Sequence, residues 1–477
     1  MVNMDRAAGA LVGMASGDAL GAGYEFGGPL PDGAVVDMIG GGAFNWDRGE
    51  WTDDTSMAVP ILRELAAGEG LDDEATLGRI AGEWQTWAAT AKDVGSQTRQ
   101  VMSLMSEHTE VAARQAALAV HTRSGRSGGN GSLMRTAPVA LGYLDDPEGL
   151  ALAARRISDL THFDEDAGDA CVLWSLAIRA AIVEGRLVIR EGLEFLRPER
   201  RARWAALLDE AEREHPRDFE NNGWVVEALQ GAWSAITNGD SLVDVLERAV
   251  RGGRDTDTVA AIAGGLAGAF YGVSAVPTRW QRELHGWPGL RYADLVELPT
   301  LAVRGGVPTA AIDYTSYGDI TSLARHPFDE GVWLGGVGIL SSLPSDVDAV
   351  VSLCRVAGTP SGISPADHVQ VWLIDQVQPS ANPHLDFVLA EAADAVAALR
   401  AEGKTVLLHC AQGMSRTPAV GAVYAVRHLG VSPVDALAAV EGALPLGNVN
   451  AAFRAAVLGL SIADTVDDRV RGDREEP

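Results

Sequence analysis

Apolar residues recur at three- and four-residue spacing through the first part of the chain. Ala167–Gly185, Trp224–Ile236 and Ser241–Val250 each read as helices, with glycines near their ends and no period-two strands between them. The pattern predicts an all-α domain over residues 1–290. One stretch, Val259–Val276, carries no charge and has the length of a membrane span. It is rich in Gly and Ala and follows a group of aspartates, so the expectation is a buried helix packed closely on its neighbours. Beyond it the periodicity breaks up. "RGGVPTAAIDYTSYGD" has the punctuation of a connector, placed at 291–328. Short apolar runs then appear at Val332–Gly336, Asp348–Cys354, Val369–Ile374 and Thr405–Cys410. Helical stretches at His384–Gly403, Arg416–Gly430 and Pro433–Glu441 separate or follow them. That alternation predicts an α/β domain with a mostly parallel sheet over 329–477, ending in a charged tail, "DDRVRGDREEP", expected to fray.

A length of 477 residues fits a multidomain chain of this kind. The net charge of −27 argues against a general nucleic-acid binder or an anionic-membrane binder, because such a surface repels phosphate. It leaves room for a phosphorylated small substrate held by local donors. The three cysteines, Cys171, Cys354 and Cys410, are far apart and show neither a disulfide framework nor zinc spacing. The N-terminus has no basic region followed by a clean apolar core, so no signal peptide is expected and the location is read as cytoplasmic.

Cys410 lies in "HCAQGMSR", between a predicted strand that ends at the cysteine and a helix that begins near Arg416. The loop Ala411–Ser415 would then aim its N–H groups at one spot beside the positive end of a helix, an anion cradle. The same donors favour the thiolate of Cys410, and Arg416 can clamp two phosphate oxygens. The run His409-Cys410-x5-Arg416-Thr417 resembles the signature of cysteine-based protein phosphatases, the dual-specificity group above all. The resemblance covers about Val332–Gly459. It implies Cys410 as nucleophile, Ala411, Gln412, Gly413, Met414 and Ser415 as phosphate-binding loop, Arg416 as clamp and Thr417 as an aid to thiolate departure. It also requires an acid upstream. Asp375, 35 residues before Cys410 and just past a strand, is the first choice, and Asp386 the second.

The helical half has its own chemistry. Thr52, Asp53 and Asp54 are adjacent oxygen ligands at a predicted helix start, and Asp255, Asp257 and Thr258 supply three more at another. Capping explains one such residue per helix. Four carboxylates converging in one bundle would repel one another unless cations lie between them. Oxygen ligands without His or Cys favour Mg²⁺ or Mn²⁺.

These residues, with "GDALGAGYEF" and "SGRSGGNGSLMR", resemble the ADP-ribosylglycohydrolase family over about Arg6–Gly272. The resemblance implies two divalent cations, Mg²⁺ or Mn²⁺, held by Thr52, Asp53, Asp54, Asp255, Asp257 and Thr258, with Glu25 near the substrate. It implies Gly129, Asn130, Gly131 and Ser132 around a diphosphate, Met134 lining the pocket and His162 against ADP-ribose. Arg254 departs from the family, many of whose members have Gly there; it either points outward or reaches a substrate phosphate. The activity implied is metal-dependent release of ADP-ribose from a modified protein or small molecule. Glu25 or a metal-binding aspartate would activate water and the glycosidic bond would break through an oxocarbenium-like state. The C-terminal half would act on a phosphorylated substrate. Two other readings compete. In one, one or both halves are binding modules, such as an ADP-ribose-binding regulator of an active phosphatase; in the other, the helical half is a metal-dependent phosphohydrolase.

Overall fold

A computed structural model describes residues 2–310 and 312–461; the charged tail lies outside the described residues. The chain forms two compact units. The first takes Met1–Val276 and Glu283–Thr309. The second takes Pro277–Arg282 and the chain from Ala310 on.

The helices of the first unit are α1 (Met4–Gly21), α2 (Asp53–Ala66), α3 (Glu74–Ala88), α4 (Ser96–Leu104), α5 (Glu110–Ser124), α6 (Pro147–Asp159), α7 (Glu165–Glu184), α8 (Pro198–Ala211), α9 (Val225–Thr237), α10 (Leu242–Arg251) and α11 (Thr256–Tyr271). A two-residue hairpin, β1 (His285–Gly286) with β2 (Leu290–Arg291), leads to α13 (Tyr292–Val303), which packs on α1 and α2. Polar side chains start many of these helices. Asn3 accepts from the Arg6 N–H, Asp164 from Asp166 and Ser241 from Asp244. At the centre, α1 and α11 touch backbone to backbone. Gly9, Gly13, Gly17 and Gly21 lie at four-residue steps along one face of α1. A Cβ at any of them would collide with the backbone of Gly268, Gly264, Ala260 or Asp257. The uncharged stretch therefore forms most of the buried helix α11 and the short turn after it, and no described helix is long and apolar enough to cross a membrane.

The second unit begins with α12 (Thr278–Glu283), whose Thr278 N–H and hydroxyl bond the Glu391 carboxylate at 2.7 and 3.0 Å. Its sheet contains β3 (Leu323–His326), β4 (Asp329–Gly336), β5 (Ala349–Ser352), β6 (His368–Gln370) and β7 (Val406–Cys410), in the order β3-β4-β7-β5-β6. All neighbours are parallel except the edge pair β3–β4. Helices α14 (Leu385–Ala401), α15 (Arg416–Leu429), α16 (Pro433–Ala443) and α17 (Ala451–Gly459) complete the core, with the central β7 buried throughout.

Three details differ from the sequence reading. Two elements, α13 and β3, form inside the stretch read as connector; α13 does so by burying Tyr292, Leu295, Pro299 and Ala302. The run Val369–Ile374 is a strand only to Gln370. Farther on, the Asn382 side chain takes both backbone groups of Ile374, at 2.9 and 2.8 Å, where a neighbouring strand would bond them.

Replacing Gly17 by Leu should force α1 off α11. The expected cost is about 3 kcal/mol or more, read as a fall in the denaturant midpoint. Gly33→Ala, with open space around it, should leave the midpoint in place.

Candidate functional site

Two groups of predicted residues come together, one in each unit. In the first, α1 ends beside the starts of α2 and α11. Asp18 on α1 accepts from the Thr52 N–H (2.8 Å), the Thr55 N–H (2.9 Å) and the Thr55 hydroxyl (2.6 Å). These bonds fix the first turn of α2, which carries Asp53 and Asp54. Thr52 and Asp255 occupy the two N-cap positions, yet neither side chain caps its helix. Thr52 Oγ1 instead donates to Asp54 Oδ2 at 3.1 Å, as does Thr258 Oγ1 at 3.4 Å. Asp255 accepts from Asn130 Nδ2 at 2.8 Å, and Asn222 Oδ1 accepts from the Asp255 N–H at 3.2 Å.

Carboxylate oxygens of Asp18, Asp54 and Asp257 lie within 4.8 Å of one another, and so do those of Glu25, Asp255 and Asp257. Three oxygens of this set are buried with no hydrogen-bond partner: Asp54 Oδ1, Asp257 Oδ1 and Glu25 Oε2. Burial, then the charges of Asp255, Asp93, Asp53 and Asp18, pushes the Glu25 carboxyl up to about 9. Burial and the charges of Asp93, Asp18 and Asp255 push Asp53 up to about 8. Asp54 and Asp257 are raised well above the carboxylate range, again by burial first and then by their acidic neighbours. Carboxylates packed this way hold either protons or cations. The orphaned oxygens and the all-oxygen donor set fit hard divalent cations.

The loop predicted to hold a diphosphate is anchored from below. Arg135, fully buried over the Trp84 ring, donates to Gly131 O (2.8 Å) and Thr161 Oγ1 (2.7 Å). Gln97 Nε2 ties Ser127 O to Thr161 O. His162 is buried against the faces of Gly129 and Gly131, where a Cβ would meet its ring; burial pushes its pKa well down, so it is neutral. Ser132 and Met134 are buried, and Ser132 Oγ accepts from Ser158 Oγ at 3.0 Å. Arg254 turns away from the carboxylates. Its guanidinium bonds Arg217 O at 3.1 Å and lies 3.3 Å from Glu220.

In the second unit, Cys410 ends β7 and Arg416 opens α15. The N–H groups of Gln412–Ser415 donate no hydrogen bond among the described residues. Gly413 has φ +70, the left-handed value the loop's tight curl requires. Arg416 Nη1 donates to Leu353 O (2.7 Å) and Leu373 O (3.1 Å), which fixes the guanidinium; its Nε is buried without a hydrogen bond. Thr417 is buried and donates to Gly335 O at 3.2 Å. Asp375 Oδ1 accepts from Ser415 Oγ and Asn450 Nδ2, both at 2.8 Å, and Oδ2 lies 3.7 Å from Arg416 Nε. Asp386 stands exposed in the first turn of α14. His409 Nε2 lies 2.7 Å from Ser352 Oγ, itself 2.9 Å from His368 Nε2.

Sequence reasoning passed over Asp18, Asn222, Asn382 and Asn450. Asp18 stood inside a quoted motif. Asn222 and Asn450 act through contacts 33 and 75 residues away, and Asn382 across an irregular loop of eight, none of which has a diagnostic spacing.

Residues 2–307, well over half the chain, match the family model described as ADP-ribosylglycohydrolase. The chain belongs to the ADP-ribosylglycohydrolase family. An ADP-ribosylarginine hydrolase, Tri1, of Pseudomonas putida (strain GB-1) is 32% identical over 58% of this chain and 73% of its own. The ADP-ribosyl-[dinitrogen reductase] glycohydrolase of Rhodospirillum rubrum is 31% identical over 59% and 90%. A crystal structure of human DUSP28 aligns over 28% of this chain and 89% of its own, at 23% identity and a TM-score of 0.25.

The raised carboxyls set a pH dependence. Their folded pKa values exceed the unfolded ones, so the folded state binds more protons and stability falls as pH rises between them. In EDTA the melting temperature should drop from about pH 5 to about pH 9. Millimolar Mg²⁺ should flatten that slope, and Asp257→Asn should abolish the Mg²⁺ effect.

Proposed function

We propose that the first unit hydrolyses the bond between ADP-ribose and an arginine side chain. The observation that carries this reading is the set of three unpartnered carboxylate oxygens, on Glu25, Asp54 and Asp257, gathered in one buried cluster. The arginine linkage is supported by the similarity to the Pseudomonas putida ADP-ribosylarginine hydrolase. Thr52, Asp53, Asp54, Asp255, Asp257 and Thr258 would hold two divalent cations, Mg²⁺ or Mn²⁺, which supply Lewis acidity and orient the ribose. The chain's own part is positional and basic. The loop Gly129–Ser132 would offer the N–H groups of Gly129, Gly131 and Ser132 to the diphosphate, that of Asn130 being taken by Gly223 O. Glu25 Oε2, buried with no hydrogen-bond partner, is the oxygen left free to take the proton of the attacking water. The bond from C1″ to the guanidino nitrogen breaks through an oxocarbenium-like state, releasing ADP-ribose and unmodified arginine.

The second unit is read as a cysteine-dependent phosphatase. Cys410 would attack phosphorus, the N–H groups of Gln412–Ser415 and Arg416 would hold the oxygens, and Asp375 would protonate the leaving oxygen. The network Ser415–Asp375–Asn450 supports Asp375 over Asp386.

Arginine-linked and serine-linked ADP-ribosyl peptides, incubated with Mg²⁺ or EDTA and followed by mass spectrometry, test the first activity. The expected result is Mg²⁺-dependent release of intact ADP-ribose from the arginine peptide. AMP with ribose phosphate would indicate a phosphohydrolase instead. For the second unit, p-nitrophenyl phosphate turnover should vanish in Cys410→Ser and be indifferent to EDTA; loss in EDTA would sink the cysteine assignment.

A further inference from the structure

Glu25 is followed by an exposed aromatic residue in an unusual conformation. Phe26 has φ +63 and is 66% exposed. Bulky side chains rarely adopt the left-handed region. Two backbone hydrogen bonds hold it there. The Phe26 N–H donates to Arg254 O at 2.6 Å, and the Arg254 N–H donates to Gly27 O at 2.7 Å. Arg254 is itself left-handed, with φ +67, and immediately precedes Asp255. The clamp thus locks the Glu25 segment to the Asp255 segment while it turns the Phe26 ring to solvent. Such strain persists where the surroundings enforce it, and it clusters at binding sites.

Phe26 is not alone. Its ring lies edge-on to Phe44, centroids 6.1 Å apart, and Phe44 lies 6.1 Å from Trp46. The far end of this row already carries a cation: Lys92 Nζ sits 5.0 Å over the Trp46 ring and 2.6 Å from Glu50. Lys92 immediately precedes Asp93, whose charge acts on Glu25 and Asp53. The aromatic row therefore runs from Glu25 of the cluster to the segment of Asp93, whose charge bears on that cluster.

We propose that Phe26 and Phe44 form the acceptor ledge of the hydrolase, where the flat guanidinium of an ADP-ribosylated arginine stacks. The inference rests on the hydrolase reading above. Phe26 follows Glu25, the proposed base, directly in the chain, so the aromatic row starts one residue from the carboxylate cluster and opens to solvent, where an acceptor must approach. The loop Gly129–Ser132, proposed for the diphosphate, is built from other elements, backed by Arg135 and His162. Guanidinium is planar, weakly hydrated and stacks on aromatic faces. Nearby carboxylates Glu25 and Asp93 match its charge. A serine acceptor offers neither a plane nor a charge to such a ledge.

The test compares Phe26→Ala/Phe44→Ala, Phe26→Leu and Phe26→Tyr with the unaltered chain. Three quantities are read: steady-state hydrolysis of the arginine-linked peptide, hydrolysis of the serine-linked peptide, and binding of free ADP-ribose by calorimetry with Mg²⁺. The KM for the arginine peptide should rise about 10-fold in the Ala and Leu variants. It should return in Phe26→Tyr, with kcat and ADP-ribose affinity unchanged throughout. An unchanged KM in the double Ala variant overturns the ledge. A parallel loss of ADP-ribose affinity also overturns it, because the nucleotide would then occupy the row. If the unaltered chain releases ADP-ribose from neither peptide, the hydrolase reading falls and the ledge with it. If it acts on the serine peptide alone, the hydrolase survives and the guanidinium ledge does not.

Discussion

The first unit depends on how closely two helix backbones can approach. Four glycines of α1 let α11 lie against it without intervening side chains. The last of them, Gly21, admits the Asp257 backbone itself. That contact sets where Asp257 stands relative to Asp18, three residues earlier on α1, and Asp18 in turn fixes the first turn of α2 through the N–H groups of Thr52 and Thr55. One line of small residues thereby brings carboxylates from three helices together. A bulkier interface would hold the same side chains apart by the thickness of a methyl group or more.

Gathering acids this way is costly, and helix direction offsets part of the cost. Asp53, Asp54 and Asp257 sit in the first turns of α2 and α11, where unsatisfied N–H groups and the helix dipole favour negative charge. Basic side chains do not supply the rest. Arg135 is spent on Gly131 O and Thr161 beneath the loop, and Arg254 turns to Arg217 O and Glu220. The orphaned oxygens that remain are the mark of a cluster shaped for something other than the protein's own donors.

What could be read beforehand follows from the range of each interaction. The triplets Thr52–Asp54 and Asp255–Thr258 are local, and so is the loop between Cys410 and Arg416; spacing alone exposes them. Asp375 is picked out the same way, by its place just past a strand and 35 residues before Cys410. What holds it is not local: Asn450 reaches its Oδ1 from the start of α17. Helix α13 escaped detection because Pro299 interrupts its pattern, and β3 because four residues carry too little periodicity. Asp18 was visible as a residue but not as a support, since its partners lie more than thirty positions away.

On the phosphatase reading, the second unit faces the opposite electrostatic problem. A chain of net charge −27 repels phosphate at long range, so attraction has to come from donors fixed within a few ångströms. Leu353 O and Leu373 O hold the Arg416 guanidinium by one nitrogen and leave its Nε without a hydrogen bond. The loop N–H groups are likewise unspent. Asp375 could spoil this by pairing with the arginine outright. Their ion pair stays long and without a hydrogen bond: Ser415 and Asn450 both bind Oδ1, and Oδ2 lies 3.7 Å from Nε. On the phosphatase reading proposed above, both side chains are then left facing one anion, paired with each other only at 3.7 Å. Asn450 is the pivot of that arrangement: its Oδ1 also accepts from the Phe453 N–H and caps α17, so the acid is held by the start of a helix and not by a loop alone.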